Sequence, residues 1–457
     1  MQPQPVNRNT VPEITRQPAR MTAPLHAYRT ALLYSLDDPA RVGVESSYRY
    51  LQDGLLLVEA GRIRAIESAA NLLPQLPAGT PLRHWPDALI VPGFVDTHIH
   101  YPQTGIVGAG GEQLLDWLAR YTYPAELRFA DRDYAEQVAR FFVAELLRNG
   151  TTSALVFPTV HPESVDAFFT VAAELDLRML CGKVLMDRNA PPALCDTAQS
   201  GYEQSLALIE RWHGKGRLGY AVTPRFAASC SDAQLAMAGR LLREYPGVHL
   251  HTHLAENRQE VAWVRTLFPA RSSYLDVYAH HDLVGPRSVF AHAIHLGDRD
   301  CRQLAASGAA VAFCPTSNLF LGSGLFDLGR AERLGLKVGI GSDIGAGTSF
   351  SLLQTLNEAY KVEQLQGRTL DPFKALYLAT LGGARALGLD ERIGSLAPGH
   401  EADFVVLDWH ATPLLQFRLQ QAQSLAERLA VLLTLGDDRV VRETFVAGHS
   451  RHRRDAN

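Results

Sequence analysis

Short apolar runs alternate with amphipathic stretches through the middle of the chain. The apolar spacing over residues 132–148 and 162–175 has a helical period and predicts two helices. Eight apolar runs flank such stretches and predict buried strands at 91–100, 152–157, 179–186, 218–222, 248–253, 288–291, 309–313 and 337–341. Eight buried strands separated by helices predict an α/β fold, a parallel (β/α)8 TIM barrel. The catalytic groups of such a barrel lie at the carboxyl ends of its strands.

The two ends of the chain have a different pattern, in which short β-like runs are broken by glycine. These runs lie at 31–34, 55–58, 63–66, 402–408 and 440–448. Each set is too small to build a core alone, so residues 23–90 and 394–450 predict one small composite β-sandwich domain. The barrel would then span residues 91–393. Residues 1–22 are polar and aperiodic and predict a disordered leader, and a translation start at Met21 stays open.

The composition limits the classes of partner. The chain has 457 residues, of which 46% are hydrophobic and 20% charged, as in ordinary globular proteins. Lys and Arg number 44 against 48 Asp and Glu, so no broad basic field invites nucleic acid or an anionic membrane. We therefore expect a small-molecule partner. The five cysteines are scattered, which predicts reduced thiols, and the absence of a membrane-length or signal-like apolar run predicts a cytoplasmic protein.

Residues of the types that commonly bind metals lie at the predicted carboxyl ends of the strands. His98 and His100 alternate at the end of the first strand, so both side chains point the same way and suit one metal ion. Taken alone, this pair is explained equally well by two core or surface histidines. The other strand ends carry His253, Glu256, His292 and Asp343, of which His292 and Asp343 would supply a fourth nitrogen and a carboxylate. Three histidines and a carboxylate around one open position predict a hydrolytic metal site, with Glu256 moving protons.

Other candidate groups fit a structural role better. His249 and His251 lie deeper in the fifth strand and are predicted to be hydrogen-bonded core residues. Residues 161–163, His-Pro-Glu, match half of the signature of the zinc nucleotide deaminases, but no Pro-Cys-x-x-Cys follows, so we predict a loop or helix start. Lys183 could be a carboxylated ligand of a second metal, yet its position in mid-strand favours a structural lysine.

The motifs together resemble the amidohydrolase superfamily and, within it, the guanine deaminase family. The resemblance runs from about residue 26 to 449 and rests on five segments: 96–103 (Asp-Thr-His-Ile-His-Tyr-Pro-Gln), 182–187, 223–226 (Thr-Pro-Arg-Phe), 253–257 (His-Leu-Ala-Glu-Asn) and 314–318 (Cys-Pro-Thr-Ser-Asn). The His-x-His pair indicates only the superfamily. Gln103, Arg225 and Phe226 favour guanine as the substrate.

The resemblance implies an activity and a set of site residues. The activity is hydrolytic deamination of guanine to xanthine and ammonia, in purine catabolism or salvage, by a homodimeric enzyme. One zinc ion per subunit would be held by His98, His100, His253 and Asp343, with iron left open as the alternative. The implied catalytic residues are Glu256, Asp343 and His292. The purine would contact His100, Gln103, Arg225, Phe226 and His253.

Two other functions remain open at this stage. The same metal machinery serves aminohydrolases and chlorohydrolases that act on a pterin, a triazine or an oxidised guanine. The chain could also be a non-catalytic scaffold with the same fold, although the full set of ligand-type residues and Glu256 argue against that. A substrate panel separates the first alternative, and metal analysis separates the second.

Overall fold

The computed structural model describes residues 24–454, so the predicted leader lies outside the described residues. Sixteen strands in this range form two sheets. They are β1 (His26–Ser35), β2 (Tyr48–Glu59), β3 (Arg62–Ser68), β4 (Leu82–Pro92), β5 (Phe94–His100), β6 (Thr151–Phe157), β7 (Arg178–Cys181), β8 (Val184–Leu185), β9 (Gly219–Pro224), β10 (His249–Leu254), β11 (Ser288–His292), β12 (Ala310–Phe313), β13 (Lys337–Ile340), β14 (Phe404–Asp408), β15 (Val441–Val446) and β16 (His449–Arg453).

Helices connect and cover the strands. The α-helices are α1 (Pro39–Val42), α2 (Ala69–Leu72), α3 (Leu114–Trp117), α4 (Tyr123–Glu126), α5 (Arg132–Arg148), α6 (Pro162–Glu174), α7 (Ala198–Trp212), α8 (Asp232–Glu244), α9 (Arg258–Leu267), α10 (Tyr274–Ala279), α11 (Asp298–Ser307), α12 (Pro315–Phe320), α13 (Leu328–Arg333), α14 (Leu352–Leu365), α15 (Pro372–Ala379), α16 (Leu381–Ala386), α17 (Pro413–Leu419) and α18 (Leu425–Leu435). Short 3-10 segments include Tyr101–Ile106 and Ala227–Ser229, and Leu118–Thr122 is a π segment. No helix among the described residues has the length and apolarity needed to cross a membrane.

The larger sheet is the predicted barrel. Its strands run parallel in the order β5-β6-β7-β9-β10-β11-β12-β13, and β8 pairs with β9 off this path. Hydrogen bonds bring the first and last strands together: Thr97 Oγ1 donates to the Ile340 carbonyl at 2.9 Å, and the Asp343 amide donates to the His98 carbonyl at 2.9 Å. The predicted parallel (β/α)8 architecture is confirmed, and its carboxyl-end face holds the candidate residues.

Two predicted strands differ from the structure at glycines. The strand predicted at 91–100 is wrong at its beginning, because residues 91 and 92 end β4 in the other sheet and β5 starts only at Phe94. Gly93 connects β4 of the smaller sheet to β5 of the barrel, at a position where a side chain would collide with Thr152. The strand predicted at 179–186 is two strands, β7 and β8. A side chain at Gly182 between them would collide with the Ala221 carbonyl, so this break lets β9 approach closely.

The smaller sheet has seven strands in the order β16-β15-β14-β4-β1-β2-β3, drawn from both ends of the chain. Strand β4 is parallel to β1 and antiparallel to β14, so it joins the two ends. Tyr28, Trp85, Phe404 and Phe445 form an aromatic cluster on this sheet. The prediction that both ends build one β unit is confirmed, while the division into domains 23–90 plus 394–450 and 91–393 stays a prediction.

Candidate active site

Four side chains converge at the carboxyl end of the barrel. His98 and His100 end β5, His253 lies near the end of β10, and Asp343 follows β13. The Nε2 atom of His100 lies 3.2 Å from Nε2 of His98 and 3.3 Å from Nε2 of His253. Asp343 Oδ1 lies 3.2 and 3.4 Å from the His98 and His100 Nε2 atoms. Two atoms that each lie roughly 2.0–2.1 Å from one zinc ion are at most about 4.2 Å apart, so each of these contacts fits ligands that share one ion.

The Nδ1 atoms of His253 and His98, on the far side of each ring from the cluster, have hydrogen-bond partners. His253 Nδ1 donates to the Arg225 carbonyl oxygen at 2.6 Å, and His98 Nδ1 lies 2.7 Å from His251 Nε2. These contacts leave each Nε2 lone pair facing the cluster. Burial lowers the pKa of His98, and lowers those of His100 and His253 further, so the rings are neutral, as metal ligands must be.

Asp96 ties the ends of β5 and β13 together beneath the cluster. Its Oδ1 accepts from the amides of His98 and Ser342 at 3.1 Å each, and its Oδ2 accepts from the Ser342 hydroxyl at 2.5 Å. Burial raises the pKa of Asp96 to about 7. Asp343 follows Ser342 directly, so this contact fixes the carboxylate that meets the histidines.

Strained backbone marks the same end of the barrel. Among the nine non-glycine residues with positive φ in the described chain, four lie here: Ala255 at 49°, His292 at 68°, Ala293 at 52° and Asp343 at 53°. Such conformations cost free energy and persist where the surrounding structure enforces them, commonly at functional sites.

Glu256 lies beside the cluster without joining it. One carboxylate oxygen lies 3.4 Å from His292 Nε2, and the other accepts from the Ser323 hydroxyl at 3.3 Å. Burial, aided by the nearby charge of Asp343, raises the pKa of Glu256 to about 8. His292 Nδ1 donates to Asn318 Oδ1 at 2.9 Å, which turns its Nε2 toward Glu256 and Asp343. A carboxyl group that titrates near neutrality is suited to carrying protons.

The donor set also fits a metal by its electrostatics. Burial works against the charge of Asp343, but His98 and His292 beside it hold its pKa well below the ordinary value. Histidine and aspartate atoms close enough to share an ion form two overlapping groups, His98, His100 and His253, and His98, His292 and Asp343. Three neutral imidazoles and one carboxylate are ligands that zinc accepts, and iron takes the same types.

A pocket opens above the cluster. Its volume is about 420 Å³, which includes the space that is open to solvent. Gln103, Arg225 and Phe226 line it together with His100, His253, Glu256, Glu260, His292 and Asp343. Its remaining wall is apolar and consists of Leu114, Trp117, Leu118, Leu321 and Ala346. A pocket lined by both polar groups and an apolar wall suits a flat heterocycle with a polar edge.

The structure brings together every residue that the sequence singled out for catalysis, metal binding or purine contact. Of the structural candidates, His251 lies directly behind His98 and hydrogen-bonds to it. The others lie elsewhere: His249 Nε2 lies 2.8 Å from the Leu387 carbonyl oxygen, and the Lys183 ammonium contacts Asp196. His161 is the N-cap residue of α6. The five cysteines are free, and four of them are buried.

Sequence reasoning missed several side chains of the site. Leu114, Trp117 and Leu118 of the apolar wall, and Glu126, which contacts Arg225, come from the segment that runs from α3 to the end of α4 and carries no motif. Asn318 is different, because it stands in the 314–318 motif and its role could have been found by asking what orients His292.

Comparison with known proteins decides the family. The family model described as "Amidohydrolase family" matches residues 89–451. The chain belongs to the amidohydrolase family. Guanine deaminase of Escherichia coli K12 is 53% identical over 421 residues, which cover 92% of this chain and 95% of that relative. Within the amidohydrolases, the chain thus groups with the guanine deaminases.

Solved amidohydrolase structures agree with this grouping. The E. coli guanine deaminase structure has a TM-score of 0.93 and 52% identity, covering 94% of this chain and 100% of that chain. A guanine deaminase from C. acetobutylicum, solved with guanine bound in its active site, has a TM-score of 0.84 and 28% identity, covering 93% and 99%. The barrel and the smaller sheet are therefore shared with guanine deaminases over nearly their full length.

Proposed function

We propose that this amidohydrolase deaminates guanine to xanthine and ammonia with one zinc ion per subunit. The observation that carries the proposal is the convergence of the three histidine Nε2 atoms and Asp343 beneath a pocket that presents Gln103, Arg225 and Phe226. The kinship with guanine deaminases supports the substrate.

His98, His100, His253 and Asp343 would hold the ion. When bound, it supplies hydroxide at neutral pH by lowering the pKa of water from 15.7 to about 7. Zinc is proposed ahead of iron because the family resemblance implies zinc, and imidazoles with a carboxylate are ligands that zinc accepts. We also propose a cytoplasmic homodimer, as in the family.

The protein groups would move the protons of the reaction. Deamination forms a C2–O bond and breaks the C2–N bond, so both protons of the water must reach nitrogen atoms. Glu256 takes the first proton and delivers it to the ring, and Asp343 takes the second, which leaves with ammonia. His292, held by Asn318, orients the attacking oxygen. Each positioned transfer contributes about 10²–10⁴-fold in rate.

Three side chains would recognise the base. Arg225 is planar and charged, so it suits the purine O6 and withdraws charge that builds on the ring. Gln103 offers a donor and an acceptor to another edge, and Phe226 packs against the flat face. A base that left these buried polar groups unmatched would lose about 1–3 kcal/mol for each.

The test is a metal-replete assay on guanine that reads both ammonia and xanthine, beside a pterin, a triazine and an oxidised guanine. Guanine should be the preferred substrate by kcat/KM. Preference for another member of the panel, or no turnover at all, would contradict the proposal. Arg225→Lys keeps the charge but loses the planar fork, so it should mainly raise KM for guanine and weaken the preference for purines that carry O6.

A further inference from the structure

Glu126, the last residue of α4, is a fully buried carboxylate outside the proposed metal and proton machinery. Both of its oxygens lie 2.8 Å from Arg225 Nη1. The two residues are 99 positions apart, so this is a contact made by the tertiary fold. Its pairing uses one guanidinium nitrogen only. Among residues 24–454, the other two guanidinium nitrogens of Arg225 have no hydrogen-bond partner.

The side chain of Gln103 lies near the same carboxylate and lowers its pKa, although burial raises it overall. Gln103 follows β5 and Arg225 follows β9, so these two side chains reach the pocket from different parts of the barrel. Both line the pocket, whereas Glu126 lies behind them and does not. One buried group therefore pairs with Arg225 and lies near Gln103, the two polar side chains that we propose to recognise the purine.

Electrostatics explains why a charged arginine can be kept here. Burial opposes the charge of Arg225, but Glu126 holds the guanidinium pKa above its ordinary value. Tyr123, one turn earlier on α4, places its ring centroid 5.6 Å from Arg225 Cζ. Both carboxylate oxygens hold the guanidinium by its Nη1 end, which leaves Nε and Nη2 available for hydrogen bonds to a substrate.

We infer that Glu126 is a positioning residue that fixes Arg225, beside Gln103, in the arrangement that selects guanine. The inference rests on the proposed function and adds to it a residue that touches neither substrate nor metal. A merely structural Glu126 would affect stability alone. A positioning Glu126 affects the recognition of O6, because a displaced Arg225 no longer meets that atom.

The experiment compares Glu126→Gln with Glu363→Gln in zinc-loaded protein. Glu363 is a matched control: it is buried, pairs with Arg368 through Nε at 2.8 Å, and does not line the pocket. Guanine and 2-aminopurine, which lacks O6, are the two substrates, and zinc is measured in every sample. Glu126→Gln should keep one zinc, raise KM for guanine at least about tenfold, and lower the preference for guanine over 2-aminopurine by a similar factor. Glu363→Gln should leave KM and preference within about twofold of wild type.

Glu126→Asp provides a second variant if Glu126→Gln does not fold. It keeps the charge but shortens the reach to Arg225, so it should fold and still raise KM. In a double-mutant cycle with Arg225→Lys, the two changes should be less than additive in KM, because they disturb the same contact. Unchanged guanine preference in folded Glu126 variants, or full additivity, would overturn the inference. Wild-type turnover of guanine tests the proposed function separately, and only the shifts in the variants test Glu126.

Discussion

Buried charged side chains are paired differently at the two ends of the barrel. At the amino end, Glu401 accepts from Arg178 Nε at 2.7 Å and from Arg217 Nε at 2.9 Å, and Arg217 also contacts Asp403. Every side chain of this cluster is at most 9% exposed. Burial opposes the charge of Glu401, but the two arginines hold its pKa below the ordinary value. Opposite charges are matched there by direct pairing within the protein.

In the histidine cluster at the carboxyl end, like groups face one another instead, although Glu126 and Arg225 nearby are paired. The Nε2 atoms of three histidines meet, and His292 Nε2 and His100 Nδ1 have no hydrogen-bond partner among the described residues. The pKa of Glu256 is raised to about 8, in contrast to the lowered pKa of Glu401. The three Nε2 atoms converge on one point, and within the described chain two histidine nitrogens lack the hydrogen-bond partners that buried polar groups usually have.

The contrast separates stability from function within one barrel. The amino end joins the barrel to the smaller sheet, since Glu401 and Asp403 precede β14 while Arg178 begins β7. Its contacts resemble an interior in which each charge has a partner. The carboxyl end keeps unmet coordination and hydrogen-bonding capacity for a metal and a substrate. Changes at the two ends should therefore have different consequences.

The largest effect is expected for His100→Ala. Removal of one of the converging imidazoles leaves an incomplete set of ligands, so bound zinc and activity should be lost together. Zinc is counted by elemental analysis beside the guanine assay. His161→Ala, which changes a histidine outside the pocket, should keep both. A His100→Ala protein with one equivalent of zinc would contradict the proposed metal site.

Glu256→Gln should separate chemistry from binding at the same end. The amide keeps the shape and hydrogen bonding of the side chain but cannot take a proton, so kcat should fall by about 10²–10⁴-fold. Zinc content and guanine affinity should stay close to wild type, as measured by elemental analysis and equilibrium binding. Loss of zinc would instead make Glu256 a ligand and remove the distinction between the two roles.

Sequence periodicity was sufficient for the parts of the site that lie on strands. His98 and His100 alternate on β5, and His253 and Asp343 stand near the ends of β10 and β13, so parity and strand ends placed them. The eight-strand count predicted the barrel for the same reason.

The parts it missed depend on contacts between distant segments. Glu126 reaches Arg225 across 99 positions from a segment without a motif, and Asp96 reaches Ser342 across 246. The break at Gly182 was missed because the clash that requires glycine comes from β9. The local sequence pattern does not predict which distant residues will be in contact.

Glu401→Gln tests the amino end. Loss of the carboxylate charge leaves Arg178 without its acidic partner in a buried setting, so the free energy of unfolding should fall by about 3–5 kcal/mol. Denaturant unfolding of zinc-loaded protein measures this loss, and KM for guanine should stay unchanged. The exposed pair of Glu174 and Arg140 supplies the control, because Glu174→Gln should cost at most about 1 kcal/mol. A large rise in KM for Glu401→Gln would show that the two ends are not independent.

The smallest effect concerns pH and Glu260, which lies beneath Glu256. Its carboxylate accepts from the amides of Glu256 and Asn257 at 2.9 and 3.1 Å and from the Tyr274 hydroxyl at 2.5 Å. Burial, with the charge of Glu256, raises the pKa of Glu260 from 4.5 to about 7. Because the folded state holds this proton more tightly than the unfolded state, Glu260 contributes full stability below pH about 4.5 and loses it as pH rises to about 7.

Glu260→Gln removes this titration, so its stability relative to wild type should improve between those pH values, by on the order of 1–3 kcal/mol. Denaturant unfolding of both proteins at several pH values measures the difference, in which the contributions of carboxyl groups that do not interact with Glu260 cancel. The same comparison for Glu401→Gln should have no such slope over this range, since the pKa of Glu401 lies below it. A constant difference for Glu260→Gln over this range would mean that folding does not raise the pKa of Glu260.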